Sequence, residues 1–264
     1  MDAFAALFRG KTFVVSPLSD LDAAIAKHLY SLQHCKILHL VRHGQGVHNM
    51  EGNNGPEALL SQEFFDAQLS PLGWRQVDNL RKRVEASGLA RKIDLVITSP
   101  LLRTLQTAVG VFGGDGQSQT DGIDAHPSLT ATTTVNCPPI VGVELCRERL
   151  IESEDDKLWK ADTREPFEEV AARGIEFMKW LWTRQEKEIA VVSHGIFLQQ
   201  TLNALLNDCQ ASFNQELCPR FTNCEIRSVV IIDRSITGSC YPETISGELR
   251  LHGDANIPSE EVSN

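Results

Sequence analysis

The feature of this sequence that most restricts its fold is the alternation of short apolar runs with helical patterns. The first run, Lys36 to Val41, is rich in apolar and β-branched residues and ends abruptly at Arg42. A short, continuous run of this kind predicts a strand buried on both faces. Comparable runs, separated by helical patterns, occupy residues 94–98, 140–145, 189–193 and 226–233. Strands alternating with helices predict a three-layer α/β/α fold with a mostly parallel central sheet.

Capping signals support the predicted helices. Ser70 followed by Pro71 predicts an N-cap and a proline at the first helical position, before an apolar stripe that ends near Gly88. Ser99 followed by Pro100 repeats the signal. The further helical stretches are residues 101–112, 165–187 and 196–206.

Charge and cysteine content exclude several classes of protein. With a formal net charge of −10 at pH 7, the chain lacks the basic excess that favours nucleic acid or anionic membranes. Its 7 cysteines, an odd count without a Cys-x-x-Cys pair, fit a reducing compartment. Residues 1–27 lack a secretory signal, and Asp2, Asp20 and Asp22 are unlike a plastid transit peptide. We therefore expect a cytoplasmic protein, a plastid being less favoured, with no nucleic-acid or membrane partner.

Titratable and cationic residues follow four of the predicted strands. In open α/β sheets, ligands bind beyond the carboxyl ends of the strands, so residues at these positions are expected to meet in one crevice. They are Arg42 and His43 after the first strand, Ser99 and Arg103 after the second, Glu144 and Glu148 at or after the third, and His194 after the fourth.

This set of residue types suits phosphoryl transfer, which depends on positioning and on stabilising negative charge. Arg42 and Arg103 each present a planar fork that can bind two phosphate oxygens. A histidine with an unperturbed pKa of ~6.5 is largely neutral at pH 7, so His43 is a candidate nucleophile. His194 would add a donor, and a protonated glutamate would supply a proton to the leaving alcohol. No metal or other cofactor is required.

The strand-end residues lie in longer motifs that resemble those of the histidine phosphatase superfamily, also called phosphoglycerate-mutase-like. These motifs are Leu40 to Gln45 (LVRHGQ) with Asn49, Leu69 to Gly73 (LSPLG) with Gln76, Ser99 to Thr104 (SPLLRT) with Gln106 to Ala108, and Val192 to Gly195 (VSHG). Within the superfamily, Gly46 to Asn49 (GVHN), Leu145 to Arg149 (LCRER) and Lys157 to Trp159 (KLW) are most similar to plant phosphoglycerate-mutase-like proteins.

The resemblance implies a role for each matching residue and a division of the chain. His43 would be the phosphorylated histidine; Arg42, Arg103 and His194 would complete the phosphate pocket, and Asn49 would be a further substrate-binding residue. The motifs extend from Lys36 to Asp233. They predict a histidine phosphatase domain at 35–236, after an N-terminal extension at 1–34 and before a polar, flexible tail at 237–264.

Two glutamates are candidates for the proton donor. Glu148 is favoured because it lies in the matching Arg-Glu-Arg context, and Glu144, expected inside the third strand, is the reserve. A metal site formed by His48 with His43 is disfavoured, because a loop spacing without a carboxylate cluster is weak support for one. Contact with substrate, or a surface position, is the favoured interpretation of His48.

One departure from the plant relatives affects the expected function. In those relatives the Arg-Glu-Arg segment continues into a basic Gly-Val-His-Pro stretch, whereas here Leu150 is followed by Ile151 to Asp156 (IESEDD). The resemblance therefore implies the loss of a substrate-facing loop. The expected function is metal-independent hydrolysis of a small phosphorylated metabolite through a phosphohistidine. Two alternatives stay open: phosphoglycerate-mutase-type transfer, and a catalytically weakened relative that acts as a binding or regulatory module.

Overall fold

A mixed, mostly parallel sheet forms the middle layer of the protein. The computed structural model describes residues 13–17, 35–51, 66–114, 137–149, 165–207 and 219–233. Six strands lie in the order β1-β6-β2-β5-β3-β4. Strands β2, β5, β3 and β4 are parallel, and β6 is antiparallel to β2 and β1. The strands are β1 (Phe13–Pro17), β2 (Cys35–Arg42), β3 (Leu95–Thr98), β4 (Ile140–Gly142), β5 (Glu188–Ser193) and β6 (Ile226–Asp233).

Helices cover both faces of the sheet, as the sequence predicted. Two apolar clusters lie on opposite faces, one beneath α2 and α3 and the other beneath α4 and α5. No helix in the described residues is long and apolar enough to cross a membrane. The helices are α1 (Val47–Glu51), α2 (Pro71–Ala86), α3 (Leu102–Phe112), α4 (Phe167–Trp182) and α5 (Gly195–Asn207), with short 3₁₀ turns at Leu89–Arg91 and Glu144–Cys146.

The two clusters follow from the alternation of side chains along the strands. Successive residues of a strand point to opposite faces, so Val191 contacts the α4 and α5 side whereas Val192 contacts the α2 and α3 side. Both side chains are fully buried. Each such side chain contributes about 1.5–3 kcal/mol of transfer free energy, which is why the strands read as continuous apolar runs.

The two central strands end at the same level of the sheet. In the parallel pairing of β2 with β5, Arg42 lies opposite Ser193. The next residues, His43 and His194, therefore leave the sheet side by side. A main-chain hydrogen bond from His43 N to Ser193 O (3.0 Å) joins the starts of the two loops.

The third predicted strand is shorter than expected, and its correction moves Glu144. Strand β4 ends at Gly142, and Val143 N still donates to Thr98 O (2.9 Å) on the neighbouring strand. The chain then turns into the 3₁₀ segment Glu144–Cys146, where Cys146 N donates back to Val143 O. The prediction that Glu144 lies inside the strand is therefore wrong.

The two predicted serine caps differ in outcome. The prediction for α2 is confirmed: Ser70 is the N-cap, its side chain accepts from Gly73 N, and Pro71 begins the helix. For α3 the prediction is wrong, because the N-cap is Leu101, and the first helical N–H, that of Leu102, donates to Asp66 Oδ1 (2.6 Å) and not to Ser99.

Part of the predicted N-terminal extension belongs to the sheet. Residues Phe13–Pro17 form β1, which pairs with β6 at the edge of the sheet. The predicted tail at 237–264 and the acidic segment 151–156 lie outside the described residues.

Candidate active site

The loop after β2 is held against the start of α2 by close backbone contacts. A Cβ atom on Gly44 would lie 2.9 Å from the carbonyl oxygen of Gly73, and one on Gly73 would lie 2.1 Å from the carbonyl oxygen of Gln45. Both positions therefore require glycine. The Ser70 hydroxyl strengthens this contact, since it donates to Gln45 Oε1 (2.7 Å) and accepts from Gly73 N (3.0 Å).

His43 lies on this loop with one ring nitrogen available for chemistry. Its side chain is buried, and Nδ1 lies 2.6 Å from the carbonyl oxygen of Gly44. A carbonyl oxygen only accepts, so Nδ1 carries the proton and Nε2 of the neutral ring keeps its lone pair. Burial, together with the positive charge of Arg103, lowers the pKa of His43 well below 6.5. The ring is therefore neutral at pH 7 and can act as a nucleophile through Nε2.

His194 lies against His43, with the two ring centroids 5.1 Å apart. Its Nε2 is 2.9 Å from Ser99 Oγ, and that oxygen accepts from Leu101 N (3.4 Å). The Ser99 hydroxyl can donate to Nε2, and in that arrangement the proton of the neutral His194 ring is on Nδ1. Nδ1 is buried and has no hydrogen-bond partner in the described part of the chain. Burial and the charge of Arg103 lower the pKa of His194 well below 6.5, so this ring is also neutral.

Two arginines reach the same place from different elements. Arg42 ends β2 and donates from Nη1 to the carbonyl oxygen of Phe221 (2.7 Å). Arg103 lies in the first turn of α3 and is 5% exposed. Thr107 links this helix to the His43 loop, because its Oγ1 donates to Arg103 O (2.7 Å) and accepts from Gly44 N (3.0 Å). Among the described residues, the Nε atoms of both arginines are buried without a partner.

Glu148 brings a carboxyl group to the two histidines. Its Oε2 lies 3.7 Å from His194 Nδ1, and its Oε1 accepts from Arg149 N (3.0 Å). Burial raises the pKa of Glu148, and this outweighs the opposing charges of Arg103 and Arg42. A carboxyl group with a raised pKa can hold the proton that a leaving group needs.

A buried arginine on α4 fixes the backbone that carries Glu148. Arg173 Nε and Nη2 bind the two carboxylate oxygens of Glu165 at 2.9 and 2.7 Å. Its Nη1 donates to Leu145 O and Arg147 O at 2.9 Å each, and Nη2 also donates to Glu148 O (3.3 Å). We refer to Arg173, Glu165 and these three carbonyl groups as the Arg173 joint.

Glu144, the reserve candidate, faces away from this arrangement. Its side chain is 66% exposed and forms an ion pair with Arg147 (3.3 Å). Of the two glutamates, Glu148 is the one whose carboxyl group lies beside His194.

Asn49, which the resemblance predicts to bind substrate, forms hydrogen bonds with the two residues that flank Val47, Gly46 and His48. Its Oδ1 accepts from Gly46 N (3.0 Å), and its Nδ2 lies 3.0 Å from His48 Nε2. The structure thus brings the predicted catalytic residues together, with Asn49 on the short helix α1 that follows the His43 loop. Arg42, His43, Arg103, Glu148 and His194 are called the strand-end cluster below.

The strand-end motifs belong to a match that extends along most of the chain. Residues 38–128 and 143–239 match the histidine phosphatase superfamily (branch 1). This chain belongs to the histidine phosphatase superfamily. It is 48% identical over 273 residues to phosphoglycerate mutase-like protein 1 of Arabidopsis thaliana, covering 89% of this chain and 96% of that protein. It is 46% identical over 250 residues to a second A. thaliana phosphoglycerate mutase-like protein, with coverages of 82% and 92%.

A solved structure shares the fold. The native mycobacterial glucosyl-3-phosphoglycerate phosphatase is 18% identical, with a TM-score of 0.51 over 74% of this chain and 90% of that chain. Membership of the histidine phosphatase superfamily supports a phosphatase or phosphoryl-transfer role for this chain.

Sequence reasoning missed a second loop that contacts the strand-end cluster. Asn223 Nδ2 donates to His43 O (3.1 Å), and Cys224 N donates to Arg42 O (3.1 Å). Cys224 adopts a left-handed conformation with φ of 54°. The sequence indicates only that this loop comes just before β6. The pairing of Ile226 with Val41 in the structure brings it to the end of β2.

The histidine phosphatase site also contains possible metal ligands. One ligand atom from each of His43, Glu148 and His194 lies within 4.8 Å of the other two. Two histidines and a carboxylate are a ligand set that zinc accepts. However, Arg42 and Arg103 add two positive charges to the same cluster, and both raise the free energy of a bound cation. The cluster therefore favours an anion.

Proposed function

We propose that this histidine phosphatase is a metal-independent enzyme that hydrolyses a small phosphorylated metabolite through a phosphohistidine on His43. The observation that carries the proposal is the set of unpartnered nitrogens in the strand-end cluster. Within the described residues, Arg42 Nε, Arg103 Nε and His194 Nδ1 are all buried without an acceptor. A buried donor without a partner costs about 1–3 kcal/mol, and phosphoryl oxygens would supply the acceptors.

In the first step, the neutral His43 attacks. Its Nε2 forms a bond to phosphorus as the bond from phosphorus to the substrate oxygen breaks, and Glu148 gives its proton to that oxygen, so an alcohol leaves. Arg42, Arg103 and the Nδ1–H of His194 hold the non-bridging oxygens, on which negative charge is stabilised. The products of this step are a phosphohistidine and an ionised Glu148.

In the second step, water replaces the alcohol. The ionised Glu148 takes a proton from water, the water oxygen attacks phosphorus, and the bond from nitrogen to phosphorus breaks. This step returns neutral His43, protonated Glu148 and orthophosphate. No atom in either step requires a metal ion, although the ligand set described above makes a chelation test necessary.

The proposal is tested by measuring orthophosphate release from a panel of phosphorylated metabolites in the presence of EDTA. Turnover that persists in EDTA and disappears in His43→Ala is the expected result. Activity that EDTA removes and zinc restores would replace the proposal with a metal-dependent one. Interconversion of phosphate isomers without net release would favour a mutase, and binding of substrate without either reaction would favour a binding or regulatory module.

A further inference from the structure

His48 is a third imidazole beside the strand-end cluster, and the mechanism above does not use it. Its ring centroid lies 5.9 Å from that of His43, and the side chain is partly buried. A point at the Cβ position of Gly46 would lie 2.5 Å from His48 Nδ1 and 3.5 Å from Arg103 Cδ. His48 Nδ1 therefore lies on the same side of Gly46 as the side chain of Arg103.

The hydrogen bonds of Asn49 determine which ring nitrogen of His48 carries the proton. The N–H of Gly46 donates to Asn49 Oδ1 (3.0 Å), and this contact assigns the amide oxygen. The amide nitrogen of Asn49 then faces His48 Nε2 at 3.0 Å and donates to it. Because Nε2 accepts, the proton of the neutral ring must be on Nδ1.

That N–H has no acceptor in the described part of the chain. His48 Nδ1 is buried and unpartnered, like Arg42 Nε, Arg103 Nε and His194 Nδ1. Burial and the positive charges of Arg103 and Arg42 lower the pKa of His48 to about 4. His48 is therefore neutral at pH 7, and the proton on Nδ1 is a permanent donor under working conditions.

We propose that His48 is a phosphate-binding residue whose Nδ1–H donates to a non-bridging oxygen of the phosphoryl group held by the strand-end cluster. This inference rests on the proposed function, because it assigns a further contact to the same bound group. It also assigns a role to the hydrogen bonds of Asn49, since they determine the tautomer of His48. Asn49 is then a positioning residue for the donor.

Two variants of similar shape separate the donor from the packing of the ring. In His48→Asn, the amide nitrogen can occupy the position of Nδ1 and keep an N–H there. In His48→Leu, the branched side chain has a similar volume but no donor. The measurement is the dissociation constant of inorganic phosphate by calorimetry at pH 7, with thermal unfolding to show that both variants fold.

We expect His48→Leu to bind inorganic phosphate about tenfold more weakly than the wild type, and His48→Asn to stay within about threefold of it. Equal losses in the two variants would assign the effect to ring packing and overturn the proposal. Unchanged binding in His48→Leu would also overturn it. If the wild type itself does not bind inorganic phosphate, this inference fails, whereas the proposed function is judged by the turnover assay described above.

A second measurement observes the donor directly in the wild type. The ring nitrogens of wild-type His48 can be observed by NMR, with the resonances assigned by their loss in His48→Asn. The expected result is a neutral ring protonated on Nδ1, whose proton shifts when inorganic phosphate is added. A ring protonated on Nε2, or one that does not respond to phosphate, would contradict the proposal.

Discussion

Arg103 and Arg173 are both buried, yet the protein treats them in opposite ways. Arg173 is 8% exposed, and its five N–H groups meet five acceptors: two carboxylate oxygens of Glu165 and three carbonyl oxygens. Arg103 is 5% exposed, and its Nε has no acceptor in the described residues. Burial alone therefore does not separate a structural arginine from a functional one. The two arginines differ in whether the protein supplies acceptors for their N–H groups.

The two regions meet at Glu148, whose backbone carbonyl belongs to the Arg173 joint and whose carboxyl group lies in the strand-end cluster. In the Arg173 joint, the N–H groups of the arginine already have acceptors within the protein. In the strand-end cluster, buried N–H groups lack acceptors among the described residues, and a bound ligand would supply them. Substitutions in the joint should therefore change stability, and substitutions in the cluster should change turnover.

Among the substitutions that separate the Arg173 joint from the strand-end cluster, Glu148→Gln has the largest expected effect, which is a loss of catalysis. A general acid contributes about 10²–10⁴-fold when the leaving group is a poor one, because an alkoxide needs a proton whereas a nitrophenolate leaves almost unaided. We expect a loss of that size on alkyl phosphates and little change on p-nitrophenyl phosphate. Steady-state kinetics with both substrates check this.

Glu144→Gln is the matched control, since Glu144 is exposed and paired with Arg147. It should leave both activities unchanged. A selective defect in Glu144→Gln alone would exchange the two assignments. If neither variant shows one, the proton donor lies elsewhere and the binding-module alternative gains support.

The next largest expected effect is a loss of stability in Arg173→Met. This change removes the guanidinium group that pairs with the buried Glu165 carboxylate, and breaking a buried pair in this way costs about 3–5 kcal/mol. Arg103→Met should lower the free energy of unfolding much less, because it removes a donor that already lacks an acceptor. Urea unfolding of the two variants measures both costs. A larger loss of stability in Arg103→Met than in Arg173→Met would contradict the distinction between the two arginines.

A smaller loss of activity is expected for Arg103→Lys. Lysine keeps the positive charge but not the planar fork, so one charge-assisted contact of about 1.5–3 kcal/mol is lost and turnover falls roughly ten- to a hundredfold. Arg75→Lys, at an exposed position on α2, is the control and should have no effect. Near-normal kinetics for Arg103→Lys would place Arg103 outside the phosphate contacts.

The smallest effect concerns pH. Activity needs neutral His43, whose pKa is lowered, so the acid limb of kcat/KM should lie below pH 6.5. Activity also needs protonated Glu148, whose pKa is raised, so kcat/KM should fall as the pH rises through that pKa. With substrate ionisation taken into account, Glu148→Gln should lose the alkaline limb. An acid limb centred above pH 6.5 would contradict the expectation that His43 is neutral at pH 7.

Much of this arrangement could be predicted from sequence because it depends on local signals. The apolar runs and the cap at Ser70 specify strands and helix, and the motif around His43 specifies the loop. The end of β4 could not be predicted, because the run of residues 140–145 continues although its pairing with β3 ends at Gly142. The loop before β6 was missed for a related reason: its contacts with Arg42 and His43 join residues far apart in sequence.

The distinction between Arg103 and Arg173 could not be predicted either. Both are arginines on helical segments, and the acceptors of Arg173 are mostly backbone carbonyls, which no sequence motif marks. The tautomers of His43 and His194 likewise depend on contacts with Gly44 O and Ser99 Oγ that only the folded chain supplies.

The measurement that tests the account most directly is the trapping of the phosphoenzyme. The protein is incubated with a radiolabelled phosphodonor, quenched rapidly, and digested to locate the label. We expect a label that is labile in acid and stable in base, on the peptide that contains His43, and no label or turnover in a folded His43→Ala variant. Phosphatase activity that survives undiminished in His43→Ala would contradict the central claim.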